Sequence, residues 1–468
     1  MTEQAVPAGP AESGGPAVSA GTAEGDGWHR LHPLSPLIQA GRLLTGLASA
    51  LVIALAEGAG KGGWASRIPE VAVVVVLAGA AVVRWLVTRW RLEGGTLRIE
   101  TGLLRRDSRR LPVTRIQSVD VVRPFLARVF GLAELRIRLA GSSDKADGRL
   151  AYLPEQEAAS VRAMLLAGHY GLDPATPAPG EQPVSQVPAG RLIASVLLGG
   201  ATAVLIALLA VIAVVAATTR HSLLGVGVGS LCVYAFGFVT AIWRRISANF
   251  GFTVAVSPDG IRIRRGLLGT VAETVPVRRV QAVRMIQPLL WRPFGWCRLQ
   301  VDVAGVAGRE EGSHETRKSL LPVGSPAQAR QLAQLVLGHA APEPARPPRR
   351  ARLKAPLSYH FLAAGHDDTM AVATTGRLAK TTVWARLEKL QSVRFSQGPG
   401  QRALDLADVH ADVAGKHVHV AFENRPAAQA RELLDELAAL SRAARDVSAN
   451  AGYGENGVHG GSAAVPGS

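Results

Sequence analysis

Arginine is the residue this sequence places most regularly where it could do chemistry. Arg105, Arg106, Arg109, Arg110 and Arg115 follow one turn-forming glycine, and Arg262, Arg264, Arg265, Arg278 and Arg279 fall at similar places further along. A guanidinium is permanently charged and presents a planar fork of donors, which suits phosphate and carboxylate ligands. Both clusters follow an apolar stretch, and a basic residue so placed gains roughly 1 kcal/mol from an anionic leaflet. The expected chemistry is docking on anionic lipid; the competing reading is charge that sets topology and solvates strand faces. His417 and His419 share one face of a predicted strand, with His410 nearby. No fourth ligand completes a metal site there, so these read as exposed strand histidines. Ser, His and Asp form no nucleophile elbow, and neither a phosphate-cradling loop nor a dinucleotide fingerprint occurs. The expectation is a protein with no catalytic residue, no metal and no cofactor, and not an enzyme.

The chain has 468 residues, of which 48% are hydrophobic and 19% charged, with a formal net charge of +16. Its isoelectric point is about 10.8 and its mean hydropathy +0.17. Basicity alone would suggest nucleic acid, but 5% aromatic content is thin for base stacking, and no nucleic-acid partner is expected. Cys232 and Cys297 are the only cysteines, which rules out a disulfide-built scaffold or a Cys-rich zinc module.

The elements that must position the arginines begin with four apolar stretches, 37–56, 68–86, 192–219 and 222–243. They are predicted to be transmembrane helices in two hairpins, 37–90 and 191–245. Lys and Arg concentrate after the second and fourth stretches, so everything outside the hairpins, both termini included, is expected to be cytoplasmic. Trp85, Trp90 and Trp243 would sit in the aromatic belt at the inner ends. No stretch carries a central ionisable residue of the kind that marks a transport path. Residues 1–27 and 443–468 read as disordered tails, 171–190 as a linker, and 341–356 as a basic Pro-rich linker.

An internal repeat supplies the rest. Residues 111–141 (LPVTRIQSVDVVRPFLARVFGLAELRIRLAG) align without a gap to 275–305 (VPVRRVQAVRMIQPLLWRPFGWCRLQVDVAG). A third, divergent copy at 385–415 keeps Gln391-Ser392-Val393 and Val413-Ala414-Gly415. Upstream of each lies an alternating strand and then Gly102, Gly266 or Gly376, suited to a positive-φ turn. Each copy closes with an amphipathic helix at Pro154, Pro326 or Pro426, and Ser325 is the natural N-cap of the second. In the connectors, Phe130 and Phe294 are expected in the core, and Leu126 and Trp291 against a bilayer or partner.

These residues carry a resemblance. Arg115-Ile116-Gln117-Ser118-Val119 through Phe130-Gly131-Leu132-Ala133, Arg279-Val280-Gln281-Ala282-Val283 through Phe294-Gly295, and Lys389-Leu390-Gln391-Ser392-Val393 with Gln397-Gly398-Pro399 resemble the bacterial pleckstrin-homology-like domains of the YdbS/YdbT membrane-protein family. The entry at 30–36, RLHPLSP, is also similar to that family's. The resemblance implies an α+β integral membrane protein with three PH-like antiparallel β units at 91–170, 250–340 and 357–442, each closed by a helix, plus the four transmembrane helices. It implies no reaction. The function expected is a non-enzymatic membrane-anchored scaffold whose PH-like units bind anionic lipid or an unknown protein partner. The alternatives are an accessory component of a transport or export system and a membrane-tethered nucleic-acid binder.

Overall fold

The computed structural model describes residues 28–36, 85–93, 95–102, 107–139, 148–170, 182–218, 224–257, 260–304, 318–414 and 419–457, with isolated positions between 38 and 83. The expected tail at 1–27 and most of the first apolar hairpin lie outside them.

The first unit opens with β1 (His29–Arg30), β2 (Arg89–Glu93), β3 (Thr96–Thr101) and β4 (Asp107–Pro112), an antiparallel sheet in that order. It continues with β5 (Ile116–Arg123), the helical connector α1 (Phe125–Val129), β6 (Leu132–Leu139), β7 (Gly148–Pro154) and the closing helix α2 (Glu155–Tyr170). Next come β8 (Gln182–Gln186), in the stretch read as a linker, and three helices: α3 (Ala189–Leu197), α4 (Gly200–Thr218) and α5 (Leu224–Asn249). The second unit repeats the first with β9 (Thr253–Ser257), β10 (Gly260–Arg265), β11 (Thr270–Val275), β12 (Val280–Pro288), a helical turn at Leu289–Trp291, β13 (Cys297–Val303), β14 (Lys318–Gly324) and α6 (Pro326–Leu337). A short helix α7 (Ala351–Lys354) leads to the third: β15 (Ala363–His366), β16 (Met370–Thr375), β17 (Ala379–Arg386), β18 (Leu390–Ser396), α8 (Pro399–Ala403), β19 (Leu406–Val413), β20 (His419–Pro426) and α9 (Ala427–Gly457). Helix α9 continues well into 443–468, which composition reads as a disordered tail.

The motif residues have local reasons. Gly102, Gly266 and Gly376 hold φ of 104°, 119° and 91°. A Cβ at Gly266 would stand 1.8 Å from the Gly269 carbonyl oxygen, so only glycine fits this turn. The register of β5, β12 and β18 against their partners skips one residue at Gln117, Gln281 and Gln391. The shared glutamine of the motif is thus a β-bulge, which bends the strand over its core. Ser325 caps α6 in a reciprocal capping box with Gln328, Pro326 occupying the first turn. In the third unit Gly398 and Gln401 stand in for the apolar connector, the Gly398 N–H donating to Gln401 Oε1 at 2.8 Å.

The sheets do not coincide with the units. One seven-stranded sheet runs β7-β6-β5-β11-β10-β9-β8, and one six-stranded sheet runs β14-β13-β12-β17-β16-β15. The second half of each unit therefore pairs, edge to edge, with the first half of the next. The cores follow: Met370, Val372 and Trp384 of the third unit pack in the second unit's cluster, and Ala282 of the second packs in the third's.

The four transmembrane helices expected from apolar length are not found: no helix among the described residues is long and apolar enough to cross a membrane. Stretch 192–219 is divided. Leu192 is buried in the second unit's core, and the chain breaks at Leu198–Gly199 before α4 begins. Helix α5 is longer and carries Arg244, Arg245 and Asn249 in its last two turns. Trp90, assigned to an aromatic belt, is instead a core residue of the first unit, and Trp85 Nε1 donates to the Leu31 carbonyl at 3.0 Å.

Candidate functional site

Each junction between units carries the same construction. At the first, Arg128 of α1 donates to the Leu267 carbonyl in the β10–β11 turn at 2.9 Å. At the second, the aligned Arg292 donates to the Arg377 carbonyl in the β16–β17 turn at 2.6 Å. Around each clasp lies an exposed apolar ridge: Phe125, Val129, Phe130 and Leu268 at one junction, Leu289, Leu290, Phe294 and Leu378 at the other. Sequence reasoning picked out the connectors but inverted their faces. Trp291 is buried in the core and Leu126 half-buried against Ile38, Ala127 and Tyr152, whereas Phe130 and Phe294 point outward. The connector is one helical turn, so Phe125 and Val129 share its outer face and Leu126 and Ala127 its inner one.

At the second junction the ridge borders a cavity of about 520 Å³. Leu192, Ser195, Gly199 and Gly200 of the α3–α4 corner form one wall, Arg245 and Asn249 of α5 another. Leu290, Trp291, Arg298 and Gln300 of the second unit and Leu378 of the third complete it. Two guanidinium groups over an apolar wall is the composition that an anionic amphiphile fits. From the sequence Arg245 is read only as a charge that orients the fourth apolar stretch, and Arg298 is not singled out.

The predicted arginines do not form one patch. Arg105 and Arg106 lie outside the described residues. Arg109, Arg110 and Arg115 are exposed, Arg109 pairing with Asp107 at 3.2 Å. Arg110 shares the outer face of its sheet with Arg98 and Arg91, which pair with Glu100 and Glu93 and lie over the Trp28 ring, while Arg109 stands opposite Ile99 on the other face. In the second unit Arg262 is buried and Arg264 exposed. Arg265 reaches Asn249 Oδ1 at 3.5 Å, and Asn249 Nδ2 donates to the Arg245 carbonyl, which gathers these groups at the foot of α5. Arg278 is exposed, while Arg279 donates to the Ala304 carbonyl at 3.5 Å and burial lowers its pKa. His410 and His419 meet ring to ring at 5.6 Å, and burial lowers the His410 pKa. His417 is outside the described residues, and among those described no three potential ligands are gathered for a metal ion.

The first junction also buries charge. Arg138 Nε lies 3.1 Å from Asp120 Oδ2 and its Nη2 3.7 Å from Glu273 Oε1. Lys318 Nζ approaches Glu273 at 2.6 Å, and the Thr274 N–H donates to Asp120 Oδ1. Burial raises the Asp120 pKa. Burial acts the same way on Glu273, but Lys318, aided by Arg265 and Arg138, outweighs it and holds that carboxyl below its ordinary value.

Repeat, bulge, connector and closing helix recur three times, and a family model described as the bacterial PH domain matches residues 42–169, 187–340 and 351–441. The chain belongs to the bacterial PH domain family. Among curated proteins, this bacterial PH domain chain is similar to the UPF0699 transmembrane protein YdbT of Bacillus subtilis (strain 168), at 21% identity over 269 residues. That match covers 50% of this chain and 53% of the relative, so the chain spans about half the length of the relative it matches.

Proposed function

We propose that this bacterial PH domain protein is a non-catalytic, membrane-associated scaffold that engages anionic lipid, or a protein partner, at the membrane surface. The cavity at the foot of α5 carries the reading: Arg245 and Arg298 stand over Leu192, Leu290 and Trp291, beside the exposed Leu289, Phe294 and Leu378. An acyl chain has an apolar wall there and a phosphate has two cations. Exposed Arg264 and Arg278 add long-range attraction to an anionic surface. The name of the Bacillus relative, a transmembrane protein, supports a membrane setting.

Flotation of the full chain tests this. Vesicles containing phosphatidylglycerol should carry it upward far better than vesicles of phosphatidylcholine alone, and salt should weaken the difference. Combining Arg245→Gln with Arg298→Gln should reduce the affinity for anionic vesicles by about tenfold or more, at roughly 1 kcal/mol per charge. Equal flotation of parent and variant would remove the site from consideration.

A further inference from the structure

We propose that this chain assembles head to tail with further copies of itself, the β18 edge of one copy adding to the β4 edge of the next. The junction that would form is already present twice inside the chain, in one register. Val121 of β5 lies opposite Ala272 of β11, and the aligned Met285 of β12 lies opposite the aligned Thr382 of β17. The aligned positions left over are Phe395 on β18 and Ser108 on β4. Among the described residues β18 pairs only with β19, and β4 only with β3. Exposure agrees. Ser118 and Asp120 on β5 and Ala282 on β12 are buried by the neighbouring unit, whereas Ser392 and Arg394 at the matching positions of β18 are exposed. Residues 107–110 of β4 are exposed in the same way.

Two further features match. The clasp arginine is present a third time: Arg402 aligns with Arg128 and Arg292 and is exposed. The charges also match, with their signs exchanged. Where the first junction holds Asp120, Arg138 and Glu273, base between two acids, the aligned positions at the two free edges hold Arg394, Asp412 and Arg109. Extending the register of the first junction by one residue, as the second junction does at Arg284 and Val383, sets Arg394 and Arg109 opposite each other, with Asp412 placed to bridge them as Arg138 bridges Asp120 and Glu273. Like charges opposed on a strand pair repel; the intervening carboxylate removes that objection here. Because the two faces differ, the contact is heterologous and propagates as a ring or an open chain, not as a two-fold dimer.

The test uses the full chain. Asp107 and Ser396 stand opposite in the proposed register, so a mixture of Asp107→Cys and Ser396→Cys chains should give an oxidised heterodimer, and the double variant a ladder. The parent, carrying only Cys232 and Cys297, should give neither. Asp412→Arg should weaken association about tenfold or more in sedimentation, and the triple change Arg109→Glu, Arg394→Asp and Asp412→Arg, which recreates the polarity of the first junction, should restore it. A parent chain that sediments as a monomer at its highest soluble concentration would overturn the proposal. So would cross-linking of Ser396→Cys chains to themselves alone, or a triple variant as dissociated as Asp412→Arg.

Discussion

The most consequential single residues lie at junctions. Glu273 is held ionised by Lys318 within a nearly dry interface. Glu273→Gln leaves that ammonium with Asp120 alone, and removing one partner of a buried pair costs about 3 kcal/mol. Its pKa is depressed, so the stability Glu273 contributes is present above the ordinary value of 4.5 and is lost as pH falls through the folded value. Denaturant titrations of parent and Glu273→Gln should accordingly converge as pH is lowered; a gap constant with pH would contradict the assignment. Cys297 is fully buried and its pKa is pushed up to about 12 by desolvation. In the native protein it should resist alkylation at neutral pH and react once the chain is unfolded, as peptide mass spectrometry would show. Side-chain direction was the part of this scale least legible in sequence. Phe294 and Trp291 are both large and aromatic, and only the helical turn decides that the tryptophan faces inward.

Elements were more legible. Alternation at 97–100 and 261–264 marks β3 and β10, and the prolines and Ser325 mark the closing helices. The glycines were readable because a positive φ leaves few alternatives. Gly266→Ala should cost about 2 kcal/mol or more in chemical denaturation, since the added methyl meets the Gly269 carbonyl in a conformation that alanine disfavours. Gly251→Ala, with positive φ but open space, should cost less. The apolar stretch 192–219 was misread because length and hydropathy do not reveal where a run divides. Leu192 serves the second unit's core, and Gly199 breaks the chain ahead of α4. Nor did alternation disclose β8, a short strand of mixed polarity recruited by pairing with β9.

At the scale of the molecule, the three repeats are not three independent domains. Each lends half of its strands to a sheet shared with its neighbour, which sequence could not show: identical strand patterns pair equally well within a copy or between copies. Deleting the third unit by ending the chain at Ala341 should therefore uncover the β12 edge, including Ala282 and Ile286. That product should associate in sedimentation through this apolar edge, and high salt should not weaken the association, unlike contacts through the charged β4 and β18 edges. The two junctions are also unequal in length. β5 meets β11 only over Val121–Arg123, while β12 meets β17 from Ala282 to Pro288. Under tension between its two ends such a chain would yield in sequence, parting first between units one and two while units two and three still held, so the short ladder acts as a mechanical fuse.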